Sequence, residues 1–248
     1  VGMEVPSGKF KIEAGGYVGL MHPDGTPIEL SDPGEFDVKG LLAIHGGSDG
    51  IGARYLKYVV KDLTDAGDES YLSNMDITGS VERAFFDQFP IVLHAPEKSR
   101  LFRQEAHLSW DFESNNVEVQ LMNMKEEVLN SWKTKERSMT INTSKFPLED
   151  GQFYIIRIKD NKGNTSKKVF LQVPIDHEVT HNSKALIEDL EAKAQKSPLA
   201  KIQLAKWMEE NGFILNAYNQ LRLVNEEFSG VGSFEKSLAE FKQRHKIF

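Results

Sequence analysis

Cysteine is absent from this chain of 248 residues, which excludes disulfide bonds, thiolate nucleophiles and cysteine-ligated zinc. Long apolar runs are also absent, and none approaches the ~18 residues that a membrane-spanning helix requires. Basic residues are in deficit, since the formal net charge is -7. That balance argues against a nucleic-acid binder, which normally carries a basic face. It also gives no reason to expect docking on an anionic membrane.

The composition is that of a globular protein, with 40% hydrophobic and 27% charged residues. The chain begins at Val1 without Met and shows no signal peptide. We therefore expect that a leader has been removed or that the sequence has been trimmed. With a removed leader, the protein is expected to be periplasmic or exposed at the cell surface.

The first predicted domain spans residues 1–75 and consists of a small β-meander with a short helix. Alternating or apolar segments predict four short strands up to about residue 44. Pro23-Asp24-Gly25 and Asp32-Pro33-Gly34 are typical turn sequences, because Pro presets φ and Gly permits positive φ. The pattern GGYVGLMHPDGTPIELSDPGEFDV resembles the small β module of FecR-like proteins. Helical spacing of apolar residues predicts the helix at residues 53–64.

A glycine-rich loop at residues 46–52 is similar to the dinucleotide-binding loop of short-chain dehydrogenases. In such a loop the backbone approaches a pyrophosphate at a helix N-terminus. The surrounding sequence does not support this reading, because a meander precedes the loop and Tyr58 is followed by Lys61 rather than by a lysine four residues on. We therefore predict a loop that leads into a short helix and no cofactor.

The second predicted domain spans residues 76–175 and contains strands. Core residues alternate with polar ones in five segments, and several short strands at this spacing favour a β-sandwich. The alternating residues are Leu108 and Trp110, then Val117, Val119 and Leu121, then Ile141, then Tyr154, Ile156 and Ile158, and finally Val169, Leu171 and Val173.

This stretch resembles a fibronectin type III-like or immunoglobulin-like domain. The resemblance rests on HLSWD for the second strand, VEVQLMN for the third and PLEDGQFYIIRI for the corner before a later strand. It implies that Trp110 fills the core between two sheets. It also implies that the hydroxyl of Tyr154 returns to the backbone in a tyrosine corner. The segment before HLSWD is longer than a simple first strand needs.

The third predicted domain, residues 182–248, is helical. Ser197-Pro198 is a helix-start signal and Asn211-Gly212 a helix-end signal. The central helix pair resembles a tetratricopeptide repeat (TPR), with Leu204-Ala205 as its Leu-small pair and Ala217 as its small contact. The resemblance implies a concave, protein-binding face formed by Ile202, Lys206, Glu209 and Glu210.

His177-Glu178-Val179-Thr180-His181 matches H-E-x-x-H as a string. On a helix, His177 and His181 would share one face and ligate zinc, and Glu178 would act as the general base. However, the string follows the end of a strand and precedes a helix-start signal at Asn182-Ser183. A polar linker between the sandwich and the helices is the favoured interpretation, and zinc ligation the alternative.

The fold class predicted from these segments is multidomain β plus α. No complete catalytic motif or cofactor site is present, so the predicted function is a non-catalytic protein-interaction or scaffold subunit. The combination of modules resembles proteins of bacterial cell-envelope or surface assemblies, which implies protein partners. The alternatives are a zinc metallopeptidase that uses the HEVTH segment and a carbohydrate-binding module on the sandwich.

Overall fold

The structure, a computed structural model, describes residues 7–21, 27–45, 89–112, 116–175, 184–195 and 197–248. Within these ranges the protein combines β-sheets with α-helices, which confirms the predicted β plus α class. The glycine-rich loop, the helix predicted at residues 53–64 and the HEVTH string lie outside the described residues. None of the helices in the described ranges has the length and apolarity that a bilayer crossing demands.

The described residues divide into two compact units. Unit 1 comprises the described residues within 1–67, 185–206 and 220–239. Unit 2 comprises those within 68–184, 207–219 and 240–248. Both units therefore combine strands with parts of the C-terminal helices. The three domains predicted from the sequence stay a prediction.

Unit 1 contains four short strands that pair two by two. They are β1 (Lys9–Ile12), β2 (Val18–Met21), β3 (Pro27–Leu30) and β4 (Gly34–Asp37). Strand β1 pairs with β4, and β2 pairs with β3. The predicted meander, in which each strand pairs with the next, is therefore wrong. A tight turn separates β1 from β2, with a hydrogen bond of 2.9 Å from Gly16 N–H to Glu13 C=O, and Gly15 takes the positive φ of 79° that this turn needs.

Residues Val38–His45 form helix α1, where the sequence was interpreted as strand. Val38 and Leu41, three positions apart, are its buried residues, and this spacing places them on one face of a helix. The strand signal ends at Asp37 because the apolar residues beyond it no longer alternate.

Unit 2 is built around two sheets. Their strands are β5 (Val92–Leu93), β6 (Lys98–Arg100), β7 (Glu105–Asp111), β8 (Val117–Met122), β9 (Val128–Thr134), β10 (Ser138–Asn142), β11 (Phe153–Asp160) and β12 (Val169–Gln172). The smaller sheet has the order β10-β7-β5, and the larger one β6-β12-β11-β8-β9. All neighbouring pairs are antiparallel except β12 with β6. A 3₁₀ turn, Thr143–Lys145, follows β10.

Both sheets contribute to one hydrophobic core, so they pack face to face. Trp110 from the smaller sheet lies buried among inward-facing residues of the larger one, as predicted. Tyr154 is also part of this core, and its hydroxyl accepts a hydrogen bond of 2.9 Å from the backbone N–H of Glu149. This contact confirms the predicted return of the Tyr154 hydroxyl to the backbone.

The long segment before β7 has a structural explanation. Strand β5 pairs with β7 in the smaller sheet, and β6 pairs with β12 in the larger sheet. The chain thus passes from one sheet to the other at Ala95-Pro96-Glu97, and Pro suits a break between strands because it cannot donate to a ladder. The extra length therefore accommodates two strands, β5 and β6, in different sheets.

Four further helices follow the sheets. They are α2 (Lys184–Ala194), α3 (Pro198–Glu210), α4 (Ile214–Glu227) and α5 (Gly232–His245). Ser197 caps α3, because its hydroxyl accepts a hydrogen bond from the backbone N–H of Ala200 at 2.9 Å. After α3, Gly212 has a φ of 79° and Phe213 N–H donates to Met208 C=O at 2.8 Å, the Schellman type of helix end. Both predicted helix boundaries are confirmed.

In unit 2, the α3–α4 connection packs on strand β6. The hydroxyl of Ser99 accepts a hydrogen bond from Leu215 N–H at 3.0 Å, and Arg100 N–H donates to Gly212 C=O at 2.8 Å. Phe213 stacks on Trp207 at a ring separation of 5.9 Å. The β6 edge of the larger sheet is therefore occupied by helical residues of the same unit.

Candidate functional site

The outer face of the larger sheet, which points away from the shared core, is unusually apolar. Side chains in a strand alternate between the two faces. Tyr154 and Ile156 point into the core, so Phe153 and Ile155 lie on the outer face. Ile155 is paired with Met122 of β8, and Met122 is paired with Val128 of β9, so these residues share that face. A face exposed only to water would carry polar residues at these positions.

Exposed apolar side chains gather at one end of this face. Met124, Val128, Leu129 and Phe153 are each between 38% and 54% exposed. They are four of the six large hydrophobic side chains that are strongly exposed among the described residues. Register places all four at the end where β8 finishes and where β9 and β11 begin. We call these four residues the apolar patch.

The turn that carries Met124 is held by its own hydrogen bonds. The side-chain oxygen of Asn123 accepts from Lys125 N–H at 2.9 Å and from Glu127 N–H at 3.0 Å. Its amide nitrogen donates to the Glu127 carboxylate at 2.6 Å. Asn suits this position because its short side chain can replace backbone partners in a turn. The patch therefore rests on an ordered turn and on paired strands.

A β-bulge adds a residue to the patch. Leu121 pairs with Asn130 and Met122 with Val128, which leaves Leu129 as the extra residue of β9. A bulge bends its strand and re-aims the side chains beside it. Val128 and Leu129 are consequently both exposed, although consecutive residues of a regular strand point to opposite faces.

Ion pairs flank the patch on the outer face. Glu126, in the β8–β9 turn, contacts Lys168 Nζ at 2.5 Å and Arg157 at 3.8 Å. Arg157 also donates a hydrogen bond of 3.2 Å to the side chain of Gln120. The hydrogen bond and positive charge of Lys168 hold the pKa of Glu126 below its usual range. The carboxylate is thus an ion at neutral pH.

Glu126 has a backbone conformation that few non-glycine residues adopt. Its φ is 64°, the left-handed position that glycine fills in many hairpin turns of this kind. A strained non-glycine residue persists where the surrounding structure determines it. Here the carboxylate reaches Arg157 on β11 and Lys168 just before β12, which gives a reason for Glu at this position.

The outer face is basic although the chain is acidic. Core residues take most of the inward positions of the larger sheet, so its charged side chains concentrate on the outer face. The cations there are Lys98, Arg100, Lys133, Arg157, Lys159 and Lys168, and the anions are Glu118 and Glu126. The chain as a whole carries a formal charge of -7.

The residues of the predicted repeat face occupy different environments. Ile202 is only 5% exposed, so its side chain is part of the packed interior and is not available at a surface. Glu209 accepts hydrogen bonds from Arg244 at 3.1 Å and His245 at 2.8 Å, which tie α3 to α5 within unit 2. Lys206 is half-buried and Glu210 is exposed. A binding role for this face stays a prediction.

The predicted zinc ligands His177 and His181, with Glu178, lie outside the described residues. Within the described ranges, no group of three or more His, Asp or Glu side chains is arranged to hold a metal ion. The hypothesis of zinc binding stays a prediction.

Sequence reasoning missed the apolar patch, although one signal was present. Phe153-Tyr154-Ile155-Ile156 is a continuous apolar run, which indicates a strand that is apolar on both faces. The sequence NMKEEVLN also places apolar residues on both sides of a charged turn. Strand β9 was not predicted at all, because VLNSWKT does not alternate cleanly.

No family model matches the chain, and no curated protein matches it. Among solved structures, it is similar to a b-glucuronidase from Ruminococcus gnavus in complex with D-glucaro 1,5-lactone, with 12% identity and a TM-score of 0.19 over 56% of this chain and 34% of that chain. The complex of that enzyme with D-glucuronic acid gives 13% identity and a TM-score of 0.19, over 56% and 33%. The chain spans about a third of the length of these structures. A likeness at this TM-score carries no argument about fold or function.

Proposed function

We propose that this chain is a non-catalytic protein-interaction subunit that binds a partner protein through the apolar patch. The observation that carries the proposal is the concentration of exposed Met124, Val128, Leu129 and Phe153 at one end of the outer face. Contiguous exposed apolar surface with a polar rim is typical of interaction sites on globular proteins. Ion-paired Glu126, Arg157 and Lys168 supply the polar rim here.

The backbone that carries the apolar patch is held by hydrogen bonds, which also favours binding. Phe153 is an aromatic side chain on a paired strand, and aromatic residues are frequent anchors of protein interfaces. Asn123 fixes the turn that carries Met124. A surface that is ordered before binding loses less conformational entropy when a partner docks.

The modules support the same function at a coarser level. The strand orders β10-β7-β5 and β6-β12-β11-β8-β9, the buried Trp110 and the Tyr154 contact fit a fibronectin type III-like or immunoglobulin-like sandwich. Helices α3 and α4 fit a TPR-like pair. Both module types commonly serve interaction. We therefore propose an assembly of the bacterial cell envelope, in the periplasm or at the cell surface, as the setting.

The carbohydrate-binding alternative has less support. A sugar-binding face usually needs exposed aromatic rings, and Trp110, the aromatic residue that this alternative would use, is buried in the core. The metallopeptidase alternative depends on residues outside the described ranges.

Site-specific photo-crosslinking tests the proposal. Benzoylphenylalanine replaces Val128 in the patch, or Leu223 on α4 as a matched exposed apolar control. Each purified protein is illuminated with a cell-envelope extract of the source organism. We expect a discrete protein adduct from position 128 and none from position 223, because Leu223 lies outside the apolar patch to which the proposal assigns the partner. Equal labelling from both positions, or no adduct from position 128, would contradict the proposal.

A further inference from the structure

We infer that the segment of the partner that docks on the apolar patch is an acidic polypeptide stretch with large apolar side chains. This inference rests on the proposed function, and it names the chemistry of the partner. It follows from the juxtaposition of the patch with Arg157 and Lys168 on one face of the larger sheet.

The charge distribution selects an acidic partner. The outer face carries six cations and two anions, whereas the whole chain carries a formal charge of -7. Residues 89–175 contain 13 Lys and Arg against 11 Asp and Glu, a charge of +2, so the remainder of the chain carries -9. An acidic segment is therefore attracted to the outer face and repelled by the rest of the chain, which favours one docking site.

Arg157, one of the two cations that pair with Glu126 beside the patch, is only weakly engaged by that carboxylate. Glu126 approaches Arg157 only to 3.8 Å, which is longer than a hydrogen bond. The Nε of Arg157 is buried and has no hydrogen-bond partner among the described residues, so a docking carboxylate would bind the terminal nitrogens of this side chain, which is 25% exposed. Guanidinium groups bind carboxylates through two parallel hydrogen bonds. The position of Glu126 shows that a carboxylate can lie over this part of the sheet.

The apolar patch excludes a purely ionic ligand. Phe153 and Arg157 lie four residues apart on the same face of β11, about 13 Å along the strand. A short extended segment spans that distance, with an apolar side chain at one end and a carboxylate at the other. Nucleic acid fits this arrangement poorly, because its phosphates would meet the patch of apolar side chains and an acidic chain.

Three labelled peptides of twelve residues test the inference on the full chain. All three carry Phe and Leu at the same positions, and their remaining residues are Asp and Glu, Lys and Arg, or Ser. Fluorescence anisotropy at low salt should give affinity at least tenfold higher for the acidic peptide than for the serine peptide, since two charge-assisted contacts are added. The preference should shrink in 0.5 M NaCl, where exposed charges are screened.

Two variants assign the effect to the outer face. Arg157→Gln with Lys168→Gln should remove the preference for the acidic peptide and keep the weaker binding of the serine peptide. Glu126→Gly removes the competing carboxylate and suits the φ of 64°, so it should strengthen binding of the acidic peptide by a few fold. Thermal melting of each variant checks that the fold is intact.

The outcomes separate the inference from the proposed function. Equal binding of all three peptides, lost in a Met124→Ser, Leu129→Ser variant, overturns the acidic preference and leaves the interaction site standing. Tighter binding of a fifteen-nucleotide oligo-dT than of the acidic peptide also overturns the inference. Absence of binding by every peptide at 1 mM overturns it too, and the crosslinking result then decides the proposed function independently.

Discussion

Glu29, on β3 in unit 1, is a carboxylate held largely away from water. Ser197 donates its hydroxyl to Glu29, and the backbone of Leu199 at the start of α3 adds a second hydrogen bond. Tyr17 lies beside the same carboxylate, packed at 5.3 Å against the ring of Phe228. Neither the Tyr17 hydroxyl nor Oε2 of Glu29 has a well-aligned hydrogen-bond partner among the described residues. The Glu29 carboxylate thus joins β3 to α3, but one of its two oxygens is buried without a well-aligned hydrogen bond in the part of the chain that the structure describes.

Burial raises the pKa of Glu29 above its usual value of 4.5, and the hydrogen bonds from Ser197 and Leu199, with the nearby Tyr17 hydroxyl, lower it by less. Burial and the neighbouring Glu29 carboxylate likewise raise the pKa of Tyr17. The folded state therefore favours the neutral Glu29 acid. Its contribution to stability is fully present below pH 4.5 and is lost as the pH rises through the folded pKa.

Glu29→Gln should increase the free energy of unfolding at pH 8, because the amide keeps an acceptor for Ser197 and carries no charge to desolvate. The advantage over the native chain should disappear near pH 4, where Glu29 is protonated. Urea denaturation at both pH values measures the difference. Glu35→Gln, which removes an exposed carboxylate on β4, serves as the control. A Glu29→Gln effect of equal size at both pH values would show that burial of charge is not its cause.

Removing one atom, the hydroxyl oxygen of Tyr154, tests the contact between β11 and the corner before it. This oxygen accepts a hydrogen bond from the partly buried backbone N–H of Glu149. Tyr154→Phe leaves that donor without its partner, and we expect a loss of about 1–2 kcal/mol in the free energy of unfolding. Ser131→Ala, at an exposed position of β9, should change stability by less than about 0.5 kcal/mol. Chemical denaturation of the three proteins decides whether the tyrosine contact stabilises the corner.

At the scale of elements, the strands with a buried face could be predicted from the sequence. Val117, Val119 and Leu121 alternate with less apolar neighbours, and all three lie in the core. The start of α3 at Pro198 and the glycine after it were also predictable, because caps depend on local chemistry. Local sequence therefore determines these elements directly.

Other elements depend on contacts that are distant in sequence. Strand β9 has mostly exposed or half-buried residues, so it lacks the apolar period that reveals a strand, and pairing with β8 holds it in place. Strand β1 pairs with β4 rather than with its neighbour β2. The passage of the chain from β5 to β6 likewise depends on two partner strands, β7 and β12. Strand register and the choice of partner strand depend on the folded chain, so the periodicity of apolar residues in the sequence does not predict them.

At the scale of the whole molecule, the net charge of the chain does not reveal the candidate site. The formal charge of -7 argues against a nucleic-acid binder and gives no reason to expect docking on an anionic membrane, yet the outer face of the larger sheet is basic. Met122 and Ile155 are as buried as core residues, although they lie on the outer face. Only the tertiary structure shows that Met124, Val128, Leu129 and Phe153 remain exposed beside them. The predicted repeat face, by contrast, includes Ile202, which packing removes from the surface.

The affinity of the crosslinked partner for patch variants tests the central claim most directly. The partner identified from position 128 is purified, and its dissociation constant is measured for three proteins. They are the native chain, the patch variant Met124→Ser with Leu129→Ser, and the control Ile44→Ser with Leu223→Ser, which removes two exposed apolar side chains elsewhere. We expect the patch variant to bind at least tenfold more weakly, since interface anchors commonly contribute more than 1 kcal/mol each, and the control to bind like the native chain. Equal affinities for all three proteins would contradict the assignment of the patch as the binding site.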